Sequence, residues 1–362
     1  MTKKTANQSS RPDFLEFFAG SGLVTHAMKS YFKAVWANDN SEKKADVYHA
    51  NHGKGHFHLG SIDDVKGDTL PRATLSWASF PCQDLSLAGM TAGIHAKRSG
   101  LVWQWLRIME EMPSCPPLLV AENVTGLVSH SKGEHYRHLH EALRSRGYKV
   151  GAVVLNAVHW VPQSRQRVFV IAVRNDIEIP AELQSDSPTW MHPDMMVNAA
   201  KGLEDWVWWN LPEPSPRKQG LSDIVEWDAP CDPADKAKRN ISLISERHMK
   251  ELTRSGVQVA PGYKRIRNKQ QYLEIRFDNV AGCLRTPIGG SSRQVLVLNK
   301  NGKLATRLLT VRETARLMGA PETYKLPGTY NDGYKAMGDA VAVPVARYLA
   351  KHLLSPLAKA IK

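Results

Sequence analysis

Between residues 13 and 174 the chain alternates short β-rich segments with helical ones, and few architectures accept that order. FLEFFAG (14–20) reads as a buried strand and VTHAMKSYF (24–32) as a helix; AVWAND (34–39) and ATLSWASF (73–80) read as further strands. LVWQWLRIMEEM (101–112) carries an apolar stripe at helical spacing, PLLVAENV (117–124) is another buried strand, and HYRHLHEALRSRGY (135–148) another helix. KVGAVVLNA and RVFVIAVR add two more strands. Strands apolar along most of their length need cover on both faces. The pattern therefore predicts an α/β fold, with a parallel or mixed sheet between helices. In such folds ligands sit beyond the carboxyl ends of the strands.

After about residue 175 the texture changes. Trp190, Trp206, Trp208, Trp209 and Trp227 fall in a Pro-rich stretch of weak periodicity, and a basic region follows. From Lys236 to Arg276 there are eleven Lys and Arg against three Glu, within a chain whose net charge is +13. That balance implies a polyanionic partner. Order returns at LLTVRETARLMGAP, where Thr310 is placed to cap a helix with Glu313 three residues on. VPVARYLAKHLL reads as an amphipathic helix returning to the first domain. The expected division is a polar tail (1–12), a catalytic and cofactor domain (13–175), a second domain (176–327) and a returning segment (328–362).

Cysteines stand at 82, 115, 231 and 283, with no C-x-x-C pair and no histidines at zinc spacing, so neither disulfides nor a metal site are expected. Reduced thiols in a cytoplasmic compartment are the default reading. No apolar run reaches the roughly 18 residues of a membrane span, and MTKKTANQSSRPD lacks a signal-peptide core.

Two places carry chemistry. In FAGSGL, Gly20 and Gly22 allow a tight turn where a ligand can approach the backbone near a helix start. Thr25 stands where the third glycine of a dinucleotide fingerprint would be, which argues against NAD and a nicotinamide oxidoreductase. Asp39 ends the next strand, seventeen residues after Gly22, where an acid can hold ribose hydroxyls. Alone it would more often be a turn or cap residue; strand, turn, helix, strand and acid together point to a nucleoside cofactor. The second place is WASFPCQDLSLAG (77–89). Pro81 ends a strand, so Cys82 should lie at the mouth of the sheet. Most lone cysteines are inert core residues, and a free thiol with a pKa of about 8.5 is a poor nucleophile until its surroundings help. Here Glu122 and Asn123 end the next strand and would face the same pocket. Arg165 and Arg167 alternate before a further strand and so share a face, although such arginines also serve as surface charges.

FAGSGL, FPCQDLS, ENV, QSRQR, RLLTVRETARLMGAP and GDAVAVPVARYLAKHL resemble, in order, the motifs of the cytosine-C5 DNA methyltransferase family. The resemblance covers about residues 13–175 and 305–354, while 176–300 correspond only to the family's variable target-recognition region, apart from RTPIGGSSRQ. It implies a Rossmann-like methyltransferase mixed sheet with helices on both faces, plus a smaller irregular β-rich target-recognition domain. It implies S-adenosylmethionine as cofactor and double-stranded DNA as substrate. Cys82 would add to C6 of a flipped-out cytosine, Glu122 would hydrogen-bond or protonate N3, Arg165 would orient the base, and Arg167 would join the catalytic set. Phe18 would stack near the adenine, Gly20 and Gly22 would lie against the methionine portion, and Asp39 would hold the ribose. Ile62 would line the adenine pocket and Leu101 touch the cofactor, with Ser21, Leu23, Pro81 and Ala340 completing the site. Ser61 stands where the family usually has Asp, and Asp339 where it usually has Asn; both bear on cofactor affinity. Gln83, Ser86, Arg285, Ser291, Ser292 and Arg293 would face the DNA. The family implies a monomer and leaves open a restriction endonuclease of the same site as partner. Cytosine methylation of RNA and a non-catalytic DNA-binding homologue are the rival readings, the second opposed by the intact Cys82, Glu122, Arg165 and Arg167.

Overall fold

The computed structural model of the chain describes residues 11–81, 100–286, 292–300 and 302–361. One mixed sheet holds β1 (Asp13–Phe17), β2 (Lys33–Asp39), β3 (Phe57–Leu59), β4 (Leu75–Ala78), β5 (Leu118–Asn123), β6 (Tyr148–Asn156) and β7 (Gln166–Arg174), in the order β3-β2-β1-β4-β5-β7-β6. The first five strands of that order are parallel, whereas β7 runs antiparallel to both β5 and β6. This reversal matters for the site. Because β7 points the other way, its start lies at the edge where β5 ends, with Val168 opposite Asn123 and Phe169 opposite Glu122.

The two-residue alternation of the strands divides the core as expected for a sheet covered on both faces. Phe14, Trp77, Val120 and Phe169 join one apolar cluster with Leu23 and Val24 of the helix Leu23–Met28. Leu15, Phe17, Leu119 and Val170 join another with Trp105 and Leu106 of the helix Leu101–Glu111, and with Tyr136 and Leu139 of the helix Glu134–Arg144. Not every helix shows in the sequence. Glu42–His52 buries only Ala45, Val47 and Tyr48, too few apolar positions to show a stripe, and it leads into the short edge strand β3.

Residues after 176 do not begin a new core. Ile177, Leu183, Met191, Trp209, Leu211 and Leu221 all pack into the main cluster, and β8 (Gln184–Ser185) pairs with β9 (Trp208–Trp209) beside it. The second core starts later. An antiparallel sheet of β10 (Val259–Arg267), β11 (Gln270–Ile275), β12 (Val295–Lys300) and β13 (Lys303–Leu308) runs in the order β11-β10-β12-β13. Val295 and Val297 meet Ile244, Leu252 and Leu273 on one face, whereas Leu296 and Leu298 turn into the main cluster on the other. The return is also earlier than the expected residue 328: Leu309, Ala315, Leu317 and Tyr324 already belong to the main core. A buried ion pair fastens this junction. Arg307 on β13 donates to Glu313 at 2.6 and 2.7 Å, while Glu313 completes the capping box with Thr310 at the start of the helix Val311–Leu317. Among the described residues no helix is long and apolar enough to cross a membrane.

Candidate active site

A cleft of about 730 Å³ opens along the edge where β1, β2, β4 and β5 end and β7 begins. Its floor is the turn after β1. Phe18, Gly20 and Gly22 all take positive φ, at 56°, 55° and 79°. Glycine accepts that conformation freely, whereas at Phe18 it is a local strain held by the surrounding structure. At Gly22 a Cβ would fall 2.6 Å from Cδ2 of His52 and 2.8 Å from Cδ2 of Tyr48, so no larger residue fits. Distant segments fasten this turn. Ser21 Oγ donates to the carbonyl of Ala336 at 3.1 Å, and the Tyr324 hydroxyl donates to the carbonyl of Ser21 at 2.5 Å.

Asp39 closes one end. Its Oδ2 accepts from the Gly20 amide and its Oδ1 from the Ser41 amide, each at 2.9 Å, leaving further lone pairs on both oxygens. Asn38 donates to the carbonyls of His58 and Gly60, which shapes the approach to Ser61 and Ile62. Ser61 accepts from the Asp63 amide at 3.2 Å and donates to the Asp63 carboxylate at 3.1 Å, so a carboxylate stands two residues beyond the position where one was expected. Asp339 is neutralised in place: Lys44 Nζ lies 2.8 Å from its Oδ2, and the Thr286 hydroxyl donates to its Oδ1. Burial works to lower the Lys44 pKa, but Asp339 and Asp39 outweigh it and hold the ammonium above the ordinary lysine value. Phe18, Gly20, Ser21, Leu23, Pro81, Leu101 and Ala340 line the same cleft.

Among the lining residues that the sequence does not single out is a second carboxyl. Glu16 lines the floor while only 1% exposed, and it accepts the Thr25 hydroxyl. Burial pushes its carboxyl up to about 8, against the Thr25 hydrogen bonds and with Asp39 adding to the rise. Its signal was an acid inside the apolar strand DFLEF.

The opposite end carries Glu122, at 6% exposure, with Arg167 Nε 3.1 Å from its Oε1. Burial raises the Glu122 pKa; the charges of Arg167 and Arg165 and a hydrogen bond from Ser79 oppose that rise without cancelling it. Beside it, Asn123 Nδ2 donates to the carbonyl of Phe80 at 2.9 Å and its Oδ1 accepts from the Val124 amide. The chain just before Cys82 is thus clamped next to Glu122. Cys82, Gln83, Ser86 and Ser291 lie outside the described residues.

The two arginines part company. Arg167 lines the cleft, while Arg165, 2% exposed, lies behind its wall. Arg165 donates to the carbonyls of Leu284, Gly338 and Ala340 at 3.0, 3.0 and 2.6 Å, so its guanidinium is committed to backbone rather than turned to the cavity. Cys283, a lining residue with no flag in the sequence, has its Sγ 3.4 Å from Arg165 Nη1 and 3.9 Å from Arg167 Nη1. Burial raises its pKa, but the two guanidiniums prevail and bring the thiol below its ordinary value. At the rim, the Arg285 guanidinium lies 5.6 Å from the centre of the Tyr263 ring. Arg293, next to Ser292, donates to Asn331 Oδ1 at 2.6 Å.

A cleft with a glycine turn and a strand-end acid with free lone pairs at one end, and a buried carboxyl–guanidinium pair at the other, suits group transfer between two bound molecules. The model of the C-5 cytosine-specific DNA methylase family matches residues 13–355. Type II methyltransferase M.Bsp6I of Bacillus sp. (strain RFL6) is 27% identical over 348 residues, covering 93% of this chain and 96% of that protein. Type II methyltransferase M.HhaI of Haemophilus parahaemolyticus is 26% identical over 350 residues, covering 95% and 94%. Among solved structures, the Entamoeba histolytica methyltransferase EhMeth overlaps with a TM-score of 0.66 at 14% identity, over 98% of this chain and 100% of that one. The S. pombe Dnmt2 methyltransferase overlaps at 0.58 and 20% identity, over 94% and 97%, a likeness of fold.

Proposed function

Because the chain belongs to the C-5 cytosine-specific DNA methylase family, we propose that it moves a methyl group from S-adenosylmethionine to C5 of a flipped-out cytosine in one short duplex sequence, through a covalent bond from Cys82 to C6. The enzyme class is DNA (cytosine-5-)-methyltransferase. What carries the proposed mechanism is Glu122: a buried carboxyl, raised in pKa and paired with Arg167, one strand from the clamped segment that leads into Cys82.

The cleft fits the cofactor's chemistry. Phe18 and Ile62 offer apolar surface for a purine, Asp39 offers lone pairs to ribose hydroxyls, and Asp339 and Lys44 offer both signs of charge to a zwitterionic amino-acid end. When bound, the cofactor supplies an electrophilic methyl group. The protein's share is to make C5 of cytosine a nucleophile. Cys82 thiolate forms a bond to C6, the ring electron pair moves toward N3, and Glu122 meets it there with a proton or hydrogen bond. Its raised pKa keeps that proton available, and Arg167 steadies the carboxylate as the proton shifts. C5 then takes the methyl group, its own proton leaves to a base, and the bond from Cys82 to C6 breaks as the ring double bond reforms. Arg165 acts here as a positioning residue, holding the start of β7 against Leu284 and the segment Gly338–Ala340.

C5 and C6 are covered by stacking in a duplex, so the target base leaves the helix at a cost of a few kcal/mol, offset by phosphate contacts. Arg285, Ser292 and Arg293, together with Gln83, Ser86 and Ser291, form the proposed DNA face. A restriction endonuclease that cuts the same sequence is a candidate partner, since relatives of this chain bear type II methyltransferase names. The test is bisulfite sequencing of DNA from methylation-free bacteria expressing the chain, beside a Cys82→Ser control. Protected cytosines at one recurring motif, lost in the control, are expected. Uniform conversion with well-folded protein would overturn the reading.

A further inference from the structure

Behind the cofactor end of the cleft, a row of hydrogen-bonded side chains leads from Glu16 toward solvent. Glu16 Oε2 accepts the Thr25 hydroxyl, Thr25 Oγ1 lies 3.0 Å from the Tyr48 hydroxyl, and that hydroxyl lies 2.8 Å from Nε2 of His56. Glu16, Thr25 and Tyr48 are buried, whereas His56 is only partly covered. The row crosses β1, the helix Leu23–Met28, the helix Glu42–His52 and the approach to β3. Burying a carboxyl and two hydroxyls among apolar neighbours is unfavourable unless each is satisfied, and here each satisfies the next.

Every member of the row can donate or accept, so the row has two polarities. In one, protonated Glu16 donates to Thr25, Thr25 to Tyr48, and Tyr48 to Nε2 of His56. In the other, His56 Nε2–H donates to Tyr48, Tyr48 to Thr25, and Thr25 to ionised Glu16. Passing from the first to the second breaks one O–H bond at Glu16, Thr25 and Tyr48 in turn. It forms one O–H bond at Thr25, one at Tyr48 and one N–H bond at His56. The resulting imidazolium releases its Nδ1 proton to water.

We propose that this row is a proton exit that ionises Glu16 when a cationic ligand fills the cleft, with Glu16 as counter-ion and Thr25, Tyr48 and His56 as its positioning residues. The proposal rests on S-adenosylmethionine as the ligand, whose sulfonium adds one net positive charge to a zwitterionic amino-acid end and so favours an anionic floor. A bound ligand also covers the cleft side of Glu16, which leaves the rear path for the proton. The surrounding groups fit this use. Asp39 on β2 and the hydroxyl of Tyr324 face Glu16, and Asp39 opposes its ionisation until a cation arrives. His52 packs on Tyr48, and His26 on His52 and Tyr324; burial lowers both histidines to about 4, so they stay neutral. His56 is held below the ordinary histidine value by burial and by His58, which favours its giving the proton on to water.

The experiment is calorimetric binding of S-adenosylmethionine to the full chain, in buffers of different ionisation enthalpy and across pH. S-adenosylhomocysteine, which lacks the sulfonium charge, serves as the matched ligand. The wild type is expected to release close to one proton per S-adenosylmethionine at about pH 7, and less with S-adenosylhomocysteine. Glu16→Gln should abolish the release and weaken binding by about tenfold, with no pH dependence left. Tyr48→Phe and the more exposed His56→Leu should slow the appearance of that proton several-fold, followed with a pH indicator in stopped flow, while its equilibrium stoichiometry stays that of the wild type. A merely structural role would change affinity and leave proton release in step with binding. Equal release from wild type and Glu16→Gln, or release at the wild-type rate in both row variants, would overturn the exit. Absence of any S-adenosylmethionine binding by the wild type would instead overturn the cofactor assignment.

Discussion

At the scale of single residues, the decisive contrast is between two carboxyls in one cleft. Glu16 and Glu122 are both raised by burial, but Glu16 is answered by hydroxyls and Glu122 by guanidiniums. Only Glu122 has an arginine at hydrogen-bond distance, which suits a group that must pass between protonated and ionised forms. Glu122→Gln is therefore expected to slow single-turnover methyl transfer by about 10²–10⁴-fold while DNA affinity changes little. The pH dependence has a definite sign. A raised pKa keeps Glu122 protonated to higher pH, so transfer should fall as pH rises through that value. The fall should be absent from what activity remains in Glu122→Gln, as read from rate against pH. The sequence placed Glu122 at the site because it ends an apolar strand before Asn123. It was silent on Glu16, because an acid at the middle of an apolar pentapeptide gives no hint of which cavity it meets.

Secondary-structure elements were legible in proportion to their apolar content. The helix Leu101–Glu111 buries Val102, Trp105, Leu106, Ile108 and Met109 and declares itself; Glu42–His52, with three buried residues, does not. Capping was also readable. Thr310 and Glu313 were picked out by spacing alone, and the capping box is present. What spacing did not reveal is that Glu313 serves twice, since the same carboxylate also binds Arg307 and the Glu226 amide. Glu313→Ala strands a buried guanidinium and is expected to cost about 3–5 kcal/mol in denaturant unfolding. The paired replacement Arg307→Met with Glu313→Leu should cost far less, because no charge is left unpaired. Similar losses from the single and paired changes would show that the carboxylate matters for its cap and not for the ion pair.

Across the whole molecule, three remote segments meet on one guanidinium. Arg165 precedes β7, Leu284 follows the second sheet's β11, and Gly338 and Ala340 belong to the returning segment. Alternation in QSRQR placed Arg165 and Arg167 on one face, and both do reach Cys283. Their depths differ, and that decides their work. Arg165→Ala is expected to lower the melting temperature markedly by removing three hydrogen bonds, to the carbonyls of Leu284, Gly338 and Ala340. Arg167→Ala should cost less in melting temperature, because Glu122 can take up a proton in place of the lost partner, and should lose transfer rate. Thermal unfolding beside single-turnover kinetics separates the two, and the reverse pattern would exchange their roles.

The alternation of most strands and helices up to β7, the glycine turn, the strand-end positions of Asp39 and Glu122 and the basic character of residues 236–276 could be read from the chain alone. Each depends on local pattern: the two-residue and helical periods, the freedom of glycine, and the charge of neighbouring side chains. The reversal of β7, Glu16 on the cleft floor, Cys283 between the arginines and the union of residues 177–225 with the first core needed the tertiary structure. These depend on contacts between segments far apart in the chain, such as Ser21 with Ala336, 315 positions on. A contact of that kind is chosen by the packing of the finished core, where many surfaces compete for one neighbour, and it leaves no periodic trace in the sequence.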